Sequence, residues 1–443
     1  MKNITRRDFM KTVGAGTLAV GAVACNPGSG SSKAQEDLGP AEMPLRTNPN
    51  TGDKVSLLGY GCMRWKMVQG PDGKEIIDQE YVNELIDYAL EHGVNYIDTS
   101  PVYLQGQSEA AAGNALARHP RDSYYLATKM SNFSNPDFDN SVLMYKESFK
   151  ALHTDYIDYY LMHAISNYED YKQRFEDNHL IEFLLKEREA GRIRNLGFSF
   201  HGSAADMDKM MALHETYHWD FVQIQMNYVD WSTGGADYLY NELAKRNIPV
   251  VIMEPLLGGQ LSSVPKAIAE RLKELEPAKS IASWAFRFCG SKPQVLTTLS
   301  GMTYMEHLVD NVNTFEHFKP LTDEEFAMLD EMAGLIKGYP LVGCTGCQYC
   351  MPCPFGINIP AIFKHYNDSV NNGFIAQSVE QKDFKKLKKA YLTSYDKAVE
   401  TVRQADHCIA CGQCARRCPQ HIRIPMELRR IDRYVEALKQ EKL

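Results

Sequence analysis

Eight cysteines near the C-terminus carry the most chemistry in this 443-residue chain. They fall in two runs, Cys344-x2-Cys347-x2-Cys350-x2-Cys353-Pro354 and Cys408-x2-Cys411-x2-Cys414-x3-Cys418-Pro419. Three thiolates at this spacing wrap one cuboidal iron–sulfur cluster, and a fourth followed by proline leaves the loop to reach the other cluster of a pair. The expected ligand sets are therefore crossed: Cys344, Cys347, Cys350 with Cys418, and Cys408, Cys411, Cys414 with Cys353. Two 4Fe–4S clusters exchange electrons singly, so electron transfer is the predicted chemistry. Zinc and disulfides are the competing uses. Zinc ribbons separate their CxxC pairs by a longer loop, and four cysteines within ten residues overfill one tetrahedral site. Disulfides between cysteines this crowded would close strained, very short loops. One departure stands out: Cys353 follows two intervening residues, where the usual run has three before Cys-Pro.

A second set of chemical residues depends on the elements that carry it. Between residues 50 and 335, short β-branched or aromatic runs alternate with amphipathic stretches. The predicted strands are Val55–Tyr60, Val94–Asp98, Tyr124–Thr128, Tyr156–Met162, Ile193–Phe198, Phe221–Gln225, Val250–Met253 and Val295–Leu299. Helices are expected between them, among others over Asp78–His92, Ser141–His153, Ile181–Ala190 and Tyr304–Phe315. Such an alternation predicts an α/β fold, a (β/α)8 TIM barrel, whose chemistry sits where strands end. At those ends stand Asp98 and Tyr103, then Lys129, then His163. A free tyrosine has a pKa near about 10. A neighbouring ammonium stabilises the phenolate and lowers that value, and a carboxylate holds the ammonium. Asp98, Lys129 and Tyr103 thus read as a proton relay, with His163 orienting a carbonyl or sharing its proton. Singly, the Asp would be a helix cap and the His a core residue; together they point to catalysis.

Hydrophobic residues make up 44% of the chain, enough for a sizeable core. The formal net charge of −8, with no long basic run after the leader, argues against nucleic acid as a partner. Thr5-Arg6-Arg7-Asp8-Phe9-Met10-Lys11 resembles the twin-arginine export signal, and the apolar run Thr12–Ala24 after it is short for a membrane span. Ala22-Val23-Ala24-Cys25 reads either as a lipoprotein cleavage site, with lipidated Cys25 attaching the chain to a membrane, or as an ordinary leader cut after Ala24. Export would place the protein in the periplasm or on the outer side of the cytoplasmic membrane. The expected organisation is a leader over 1–25, a flexible linker over 26–45, a barrel over 46–335 and a ferredoxin-like domain over 336–443.

Gly93-Val94-Asn95-Tyr96-Ile97-Asp98-Thr99-Ser100-Pro101-Val102-Tyr103 resembles the signature of the aldo-keto reductase family, including the interval from Asp to Tyr. Ala127-Thr128-Lys129 and Asp158-Tyr159-Tyr160-Leu161-Met162-His163 match the family's lysine and histidine segments. Gly197-Phe198-Ser199, Gln223-x-Gln225-x-Asn227 and Pro255-Leu256-Leu257-Gly258-Gly259 continue the match in order. The resemblance implies the barrel, the Asp98–Tyr103–Lys129–His163 tetrad, and nicotinamide nucleotide contacts at Ser199, Gln223, Asp310 and Asn311. The chain departs from the family where a 2′-phosphate would be gripped: Gly301 and Met302 stand at the usual Lys-Ser positions, and His307 where Arg is expected. Met253 replaces the aromatic that stacks on nicotinamide, Glu254 a small polar residue, and Phe200 an amide-holding Asn. NADPH, NADH and no nucleotide at all therefore stay open.

As a whole, the chain is similar to exported aldo-keto reductase-like proteins with a C-terminal ferredoxin domain. Helix-compatible stretches at Val379–Leu392 and Asp396–Gln404 make that domain resemble the mainly α-helical dicluster type. Two functions follow as expectations. One is an exported oxidoreductase acting on a small carbonyl or alcohol, a sugar among the candidates, with clusters relaying electrons to a partner protein or carrier. The other is an electron-transfer or binding protein with a vestigial barrel and no nucleotide use. Cys62 and Cys289 read as buried apolar residues and His421 as a cap or surface residue. The loops Arg64–Gly73 and Asn132–Asp139 are expected to choose the substrate.

Overall fold

The computed structural model describes residues 42–443; the leader, Cys25 and nearly all of the predicted linker lie outside the described residues. Eight parallel strands close into a barrel: β3 (Leu58–Gly61), β6 (Tyr96–Asp98), β7 (Tyr125–Met130), β8 (Ile157–Ile165), β9 (Ile193–Phe200), β10 (Phe221–Gln225), β11 (Val250–Met253) and β12 (Val295–Ser300), with β12 pairing β3. The missing numbers belong to two antiparallel hairpins, β1 (Leu45–Thr47) with β2 (Lys54–Ser56), and β4 (Met67–Gln69) with β5 (Glu75–Ile77). Each predicted strand falls on a barrel strand. The first is divided, however: Lys54–Ser56 pairs back on β1, and Leu58–Gly61 alone joins the barrel. The break lies at Leu57, whose amide donates to Pro44 O at 2.8 Å. The β4–β5 hairpin occupies the predicted substrate loop Arg64–Gly73 and runs beyond it.

Alternation along the strands builds the site. Tyr96, Ala127, Tyr159, Phe221 and Val251 form an inner core with Val55 of the hairpin. Side chains two positions further on face the same way. In β6, β7 and β10 those positions are Asp98 at the strand end, Lys129 one residue before it, and Gln223 in mid-strand. Below the core, Asn48 from the β1–β2 turn donates to Tyr159 Oη at 3.1 Å and Asn195 Oδ1 at 3.2 Å, so the hairpin floors the barrel. Gly197 is required inside: a Cβ there would lie 2.2 Å from Phe221 O. The flanking helices begin at caps legible in their side chains, such as Asp78, whose Oδ1 accepts from Tyr81 N, and Thr322, which forms a capping box with Glu325.

A second core gathers the helices Ile359–Asn371, Phe384–Ala398 and Ile424–Gln440 around Ile362, Phe363, Tyr391, Tyr395 and Ile431, with both cysteine runs at its margin. The predicted helix Val379–Leu392 begins only at Phe384, after a turn, and runs on to Ala398. Asp396–Gln404 is not a separate helix: Val399 turns extended at φ −138° to bury itself in this core, and a short 3-10 turn, Thr401–Arg403, follows. Among the described residues no helix is long and apolar enough to cross a membrane.

Candidate active site at the barrel mouth and the cysteine loops

The four residues read as a relay meet at the mouth. Lys129 Nζ donates to Asp98 Oδ1 at 2.5 Å and to Thr99 O at 2.8 Å, and lies 4.9 Å from the centre of the Tyr103 ring. All are buried: Lys129 is 0% exposed, Asp98 3%, His163 4% and Tyr103 7%. The His163 ring meets Tyr103 edge-on at 5.7 Å. Its Nδ1 is taken by Ser131 Oγ at 2.6 Å and Ser100 Oγ at 3.3 Å, which leaves Nε2 for the cavity. Burial, with the Lys129 and Arg174 charges, holds the imidazole well below its ordinary pKa, so it is neutral and has one ring hydrogen to give. For Tyr103 the electrostatics differ from the sequence expectation. Burial first, then the Asp98 carboxylate, push the phenol well up. The nearby ammonium does not overcome them, and burial lowers Lys129 as well. Tyr103 is a held proton, not a phenolate.

Sequence reasoning missed the residues that fix this geometry. Arg174 donates to His163 O at 2.8 Å and Asn132 Oδ1 at 3.2 Å while its guanidinium covers Phe133 at 4.6 Å. Phe133, 41% exposed, stands 5.1 Å from the His163 ring, which brings the start of the loop Asn132–Asp139 beside His163, although no residue of that loop lines the cavity. Ser100 lay in the quoted signature, but nothing in its type announced a hydrogen bond to His163.

A cavity of about 710 Å³ opens over the tetrad. Asp98, Tyr103, His163, Ser199, Gln223, Asp310 and Asn311 line it, which brings seven predicted site residues onto one surface. Ser199 Oγ accepts from Ala164 N at 2.7 Å and keeps its own hydrogen to donate. Gln223 Oε1 is buried with no partner, an acceptor awaiting a donor. Asn311 Nδ2 donates to Ser300 Oγ at 2.9 Å. Met253 and Glu254 share the cavity wall; Phe200 is buried against Phe198 in the barrel's outer core. Glu254 is also tied down, accepting from Gly258 N at 2.6 Å with Arg64 at 3.9 Å.

The far wall of the cavity comes from the cysteine loops: Thr345, Cys347, Tyr349, Pro419 and Gln420. Gln225 and Gln420 exchange hydrogen bonds at 3.0 and 2.8 Å, and Gln260 donates to Cys344 O at 3.1 Å. Arg64 donates to Thr345 O. Gly258, at φ +68°, lets this loop approach, since a Cβ would lie 2.3 Å from Thr345 Cα. His421 is exposed, and its Nε2 lies 3.2 Å from His201 O. All ten described cysteines are free, with Cys62 and Cys289 buried as expected. Cys344, Cys347, Cys350 and Cys418 line one small cavity closed by Ile359, Phe363, Ile422 and Ile424. Cys353 and Cys408 are instead the thiols that bear on Cys414. Cys418 thus sits with the first run and Cys353 with the second.

One buried carboxylate behind the site makes a pH prediction. Glu109 accepts from Thr128 Oγ1, and burial raises its pKa to about 7. Folding therefore holds the Glu109 proton across a window, from the ordinary 4.5 up to about 7, in which the unfolded chain has released it. Stability from this group is fully present below pH 4.5 and is lost as pH rises through 7. Relative to Glu109→Gln, the wild type should lose on the order of 3 kcal/mol across that window. Unfolding of both proteins at pH 5 and pH 8 checks this; parallel profiles contradict it.

A closed parallel barrel with a buried Asp–Lys pair, a protonated Tyr and a neutral His at its mouth is built for oxidoreductase chemistry. Residues 57–333 match the aldo/keto reductase family, and the chain belongs to that family; residues 343–422 match a 4Fe-4S dicluster domain. L-galactose dehydrogenase of Arabidopsis thaliana is 24% identical over 317 residues, 66% of this chain and 94% of that one. D-arabinose 1-dehydrogenase of Saccharomyces cerevisiae is 35% identical over 109 residues, 21% of this chain and 32% of that one. Among solved structures, aldo-keto reductase AKR11C1 of Bacillus halodurans in its holo form superposes with TM-score 0.53 at 24% identity, covering 66% of this chain and 96% of that chain. An aldo/keto reductase of Klebsiella pneumoniae in complex with NADP and acetate gives TM-score 0.54 at 22% identity, covering 66% and 95%. At these identities the structural likeness is one of fold.

Proposed function

We propose that this protein is an exported iron–sulfur oxidoreductase that interconverts a carbonyl and an alcohol at the barrel mouth, with two 4Fe–4S clusters relaying electrons between that mouth and an external one-electron carrier. The observation that carries the reading is a shared wall: Cys347 lines the same cavity as Tyr103 and His163. The four sulfur donors around an apolar-walled cavity fit one cluster, held by Cys344, Cys347, Cys350 and Cys418. Cys353, Cys408, Cys411 and Cys414 would hold the second. The unpartnered Gln223 Oε1 beside Ser199 fits a carboxamide, so Ser199 and Gln223 would hold the nicotinamide end of a nucleotide and Asp310 and Asn311 its adenosine end. When bound, the nucleotide supplies or takes hydride and each cluster exchanges one electron. The chain's own residues do the rest. Tyr103 gives its proton to the carbonyl oxygen, Lys129, held in place by Asp98, steadies the charge left behind, and neutral His163 orients that oxygen through Nε2.

A sugar is the favoured substrate class, supported by the two sugar dehydrogenases among the relatives. The twin-arginine pattern supports export, and Cys25 supports attachment to the outer side of the cytoplasmic membrane or, if unlipidated, release into the periplasm. Cys411 is exposed, and ahead of it in sequence Ile409, two residues away, is 63% exposed and Val402, nine residues away, 70%, which supports carrier docking at the second cluster.

Glu306, His307, Asp310 and Asn311 lie together on the cavity wall, with no lysine or arginine among residues 300–311. The cations that share the cavity are already engaged: Arg64, beside Gly301, by Thr345 O and Glu254, and Lys364 by Asp368. A 2′-phosphate there would lack a free cation and the charge-assisted bonds it brings, worth roughly 1.5–3 kcal/mol each. NADH should therefore bind more tightly than NADPH by about tenfold or more. Calorimetry on leaderless, cluster-replete protein tests this. Equal or tighter NADPH binding rejects the selectivity, and no binding of either rejects nucleotide use.

A further inference from the structure

Tyr349 lies between two cysteines of the first run and reaches into the barrel mouth, whose cavity Cys347 also lines. The loop turns sharply on either side of Cys347, with Gly346 and Gln348 both at φ +65°. Arg64 and the close approach at Gly258 pin Thr345, so the loop cannot drift from the barrel without losing both contacts. From this fixed base, Tyr349 Oη reaches to 3.3 Å from His163 Nε2. Phe133 flanks both rings, 5.1 Å from His163 and 6.2 Å from Tyr349. Because Ser131 occupies Nδ1, Nε2 is the one ring nitrogen that His163 presents to the cavity, and the Tyr349 phenol already stands against it. An oxygen that reaches both Tyr103 and His163 must either share this hydrogen bond or displace it.

We propose that Tyr349 is a positioning residue for the substrate oxygen, and that through it the loop of the first cluster responds to whatever occupies the barrel mouth. The proposal rests on the reading of that loop as a cluster ligand loop and of the mouth as the substrate site. It gives the barrel and the cluster domain a physical connection: a change at His163 alters the hydrogen bonding of a side chain two residues from Cys347 and one from Cys350. Electron entry and substrate binding are then coupled without a third domain.

The test uses cluster-replete holoprotein and needs no turnover. Paramagnetic resonance spectra of the dithionite-reduced protein are compared for wild type, His163→Gln, Tyr349→Phe and the double variant. His163→Gln should shift one of the two cluster signals when Tyr349 is present and leave it unmoved in the Tyr349→Phe background. The same shift in both backgrounds, or none in either, overturns the proposal. Should His163→Gln fail to retain its clusters, Ser131→Ala, which removes the shorter of the two hydroxyl contacts at Nδ1 and loosens the imidazole, takes its place in the cycle. In steady state Tyr349→Phe should raise KM by about two- to tenfold, the loss of one neutral hydrogen bond, with kcat little changed. A protein that shows the spectral coupling but turns over no carbonyl or alcohol would refute the proposed function and the positioning role, and leave standing the coupling of the first-cluster loop to the barrel mouth.

Discussion

Tyr103→Phe lowers kcat by about 10²–10⁴ and leaves the visible absorption of the iron–sulfur clusters as it was. Phenylalanine keeps the ring that meets His163 edge-on at 5.7 Å and the surface under Lys129 at 4.9 Å, so packing is preserved and only the phenolic proton is lost. That proton has no substitute at the mouth. His163 is neutral, with its pKa held well down by burial and by the Lys129 and Arg174 charges, and it offers one ring hydrogen for orientation and little acidity. Lys129 has two of its hydrogens engaged by Asp98 and Thr99. Tyr349 approaches His163, yet burial raises its phenol as well, and it has no ammonium beneath its ring to receive the charge left behind. The buried, raised Tyr103 phenol favours reduction of a carbonyl in the resting state, because oxidation of an alcohol requires that proton to leave first. Steady-state rates on a carbonyl substrate, set beside absorption near about 400 nm, decide the matter. Unchanged turnover would remove Tyr103 from the chemistry and leave the barrel as a binding body.

The barrel was legible because its strands obey a local rule. Phe221–Gln225 and Val250–Met253 were found to the residue, since a short apolar run bounded by polar turns has few other uses. Asp98, Lys129 and His163 were legible for the same reason: each ends such a run, and strand ends in a barrel converge. Val55–Tyr60 failed in one detail, because nothing in its pattern shows that Leu57 turns the chain from hairpin to barrel. The pKa of Tyr103 was misjudged because the sequence shows a neighbouring lysine and hides the burial that outweighs it. Tyr349 was unreadable for a deeper reason. Its partner His163 lies 186 positions away in the other half of the molecule, and a tyrosine between cluster cysteines has many ordinary roles. The helix Ile424–Gln440, by contrast, has apolar residues at Ile424, Leu428, Ile431, Val435 and Leu438, a helical spacing that was there to be seen.

Cys418→Ala erases the cluster next to the barrel, not the one its own motif encloses. In sequence Cys418 closes the run Cys408–Cys414, and uncrossed ligation would make it the fourth ligand there. In space it lines the cavity of Cys344, Cys347 and Cys350, while Cys353 and Cys408 bear on Cys414. The variant should therefore lose about half of the iron. The vanished resonance signal should be the one also lost in Cys344→Ala, and it should differ from the signal lost in Cys411→Ala, whose side chain is exposed at the other cluster. The rest of the domain has reason to survive, because Ile362, Tyr391 and Ile431 pack in its helical core and do not line the cysteine cavity, at whose edge Phe363 alone of that group stands. Function should not survive equally. With the first cluster gone, the cavity wall at Cys347 no longer leads to the second, so reduction of an external one-electron acceptor should stop. Binding at the mouth, set by Ser199, Gln223 and the tetrad, should persist. If Cys418→Ala instead removes the signal shared with Cys411→Ala, ligation is uncrossed, and the mouth and the exposed cluster need some other connection.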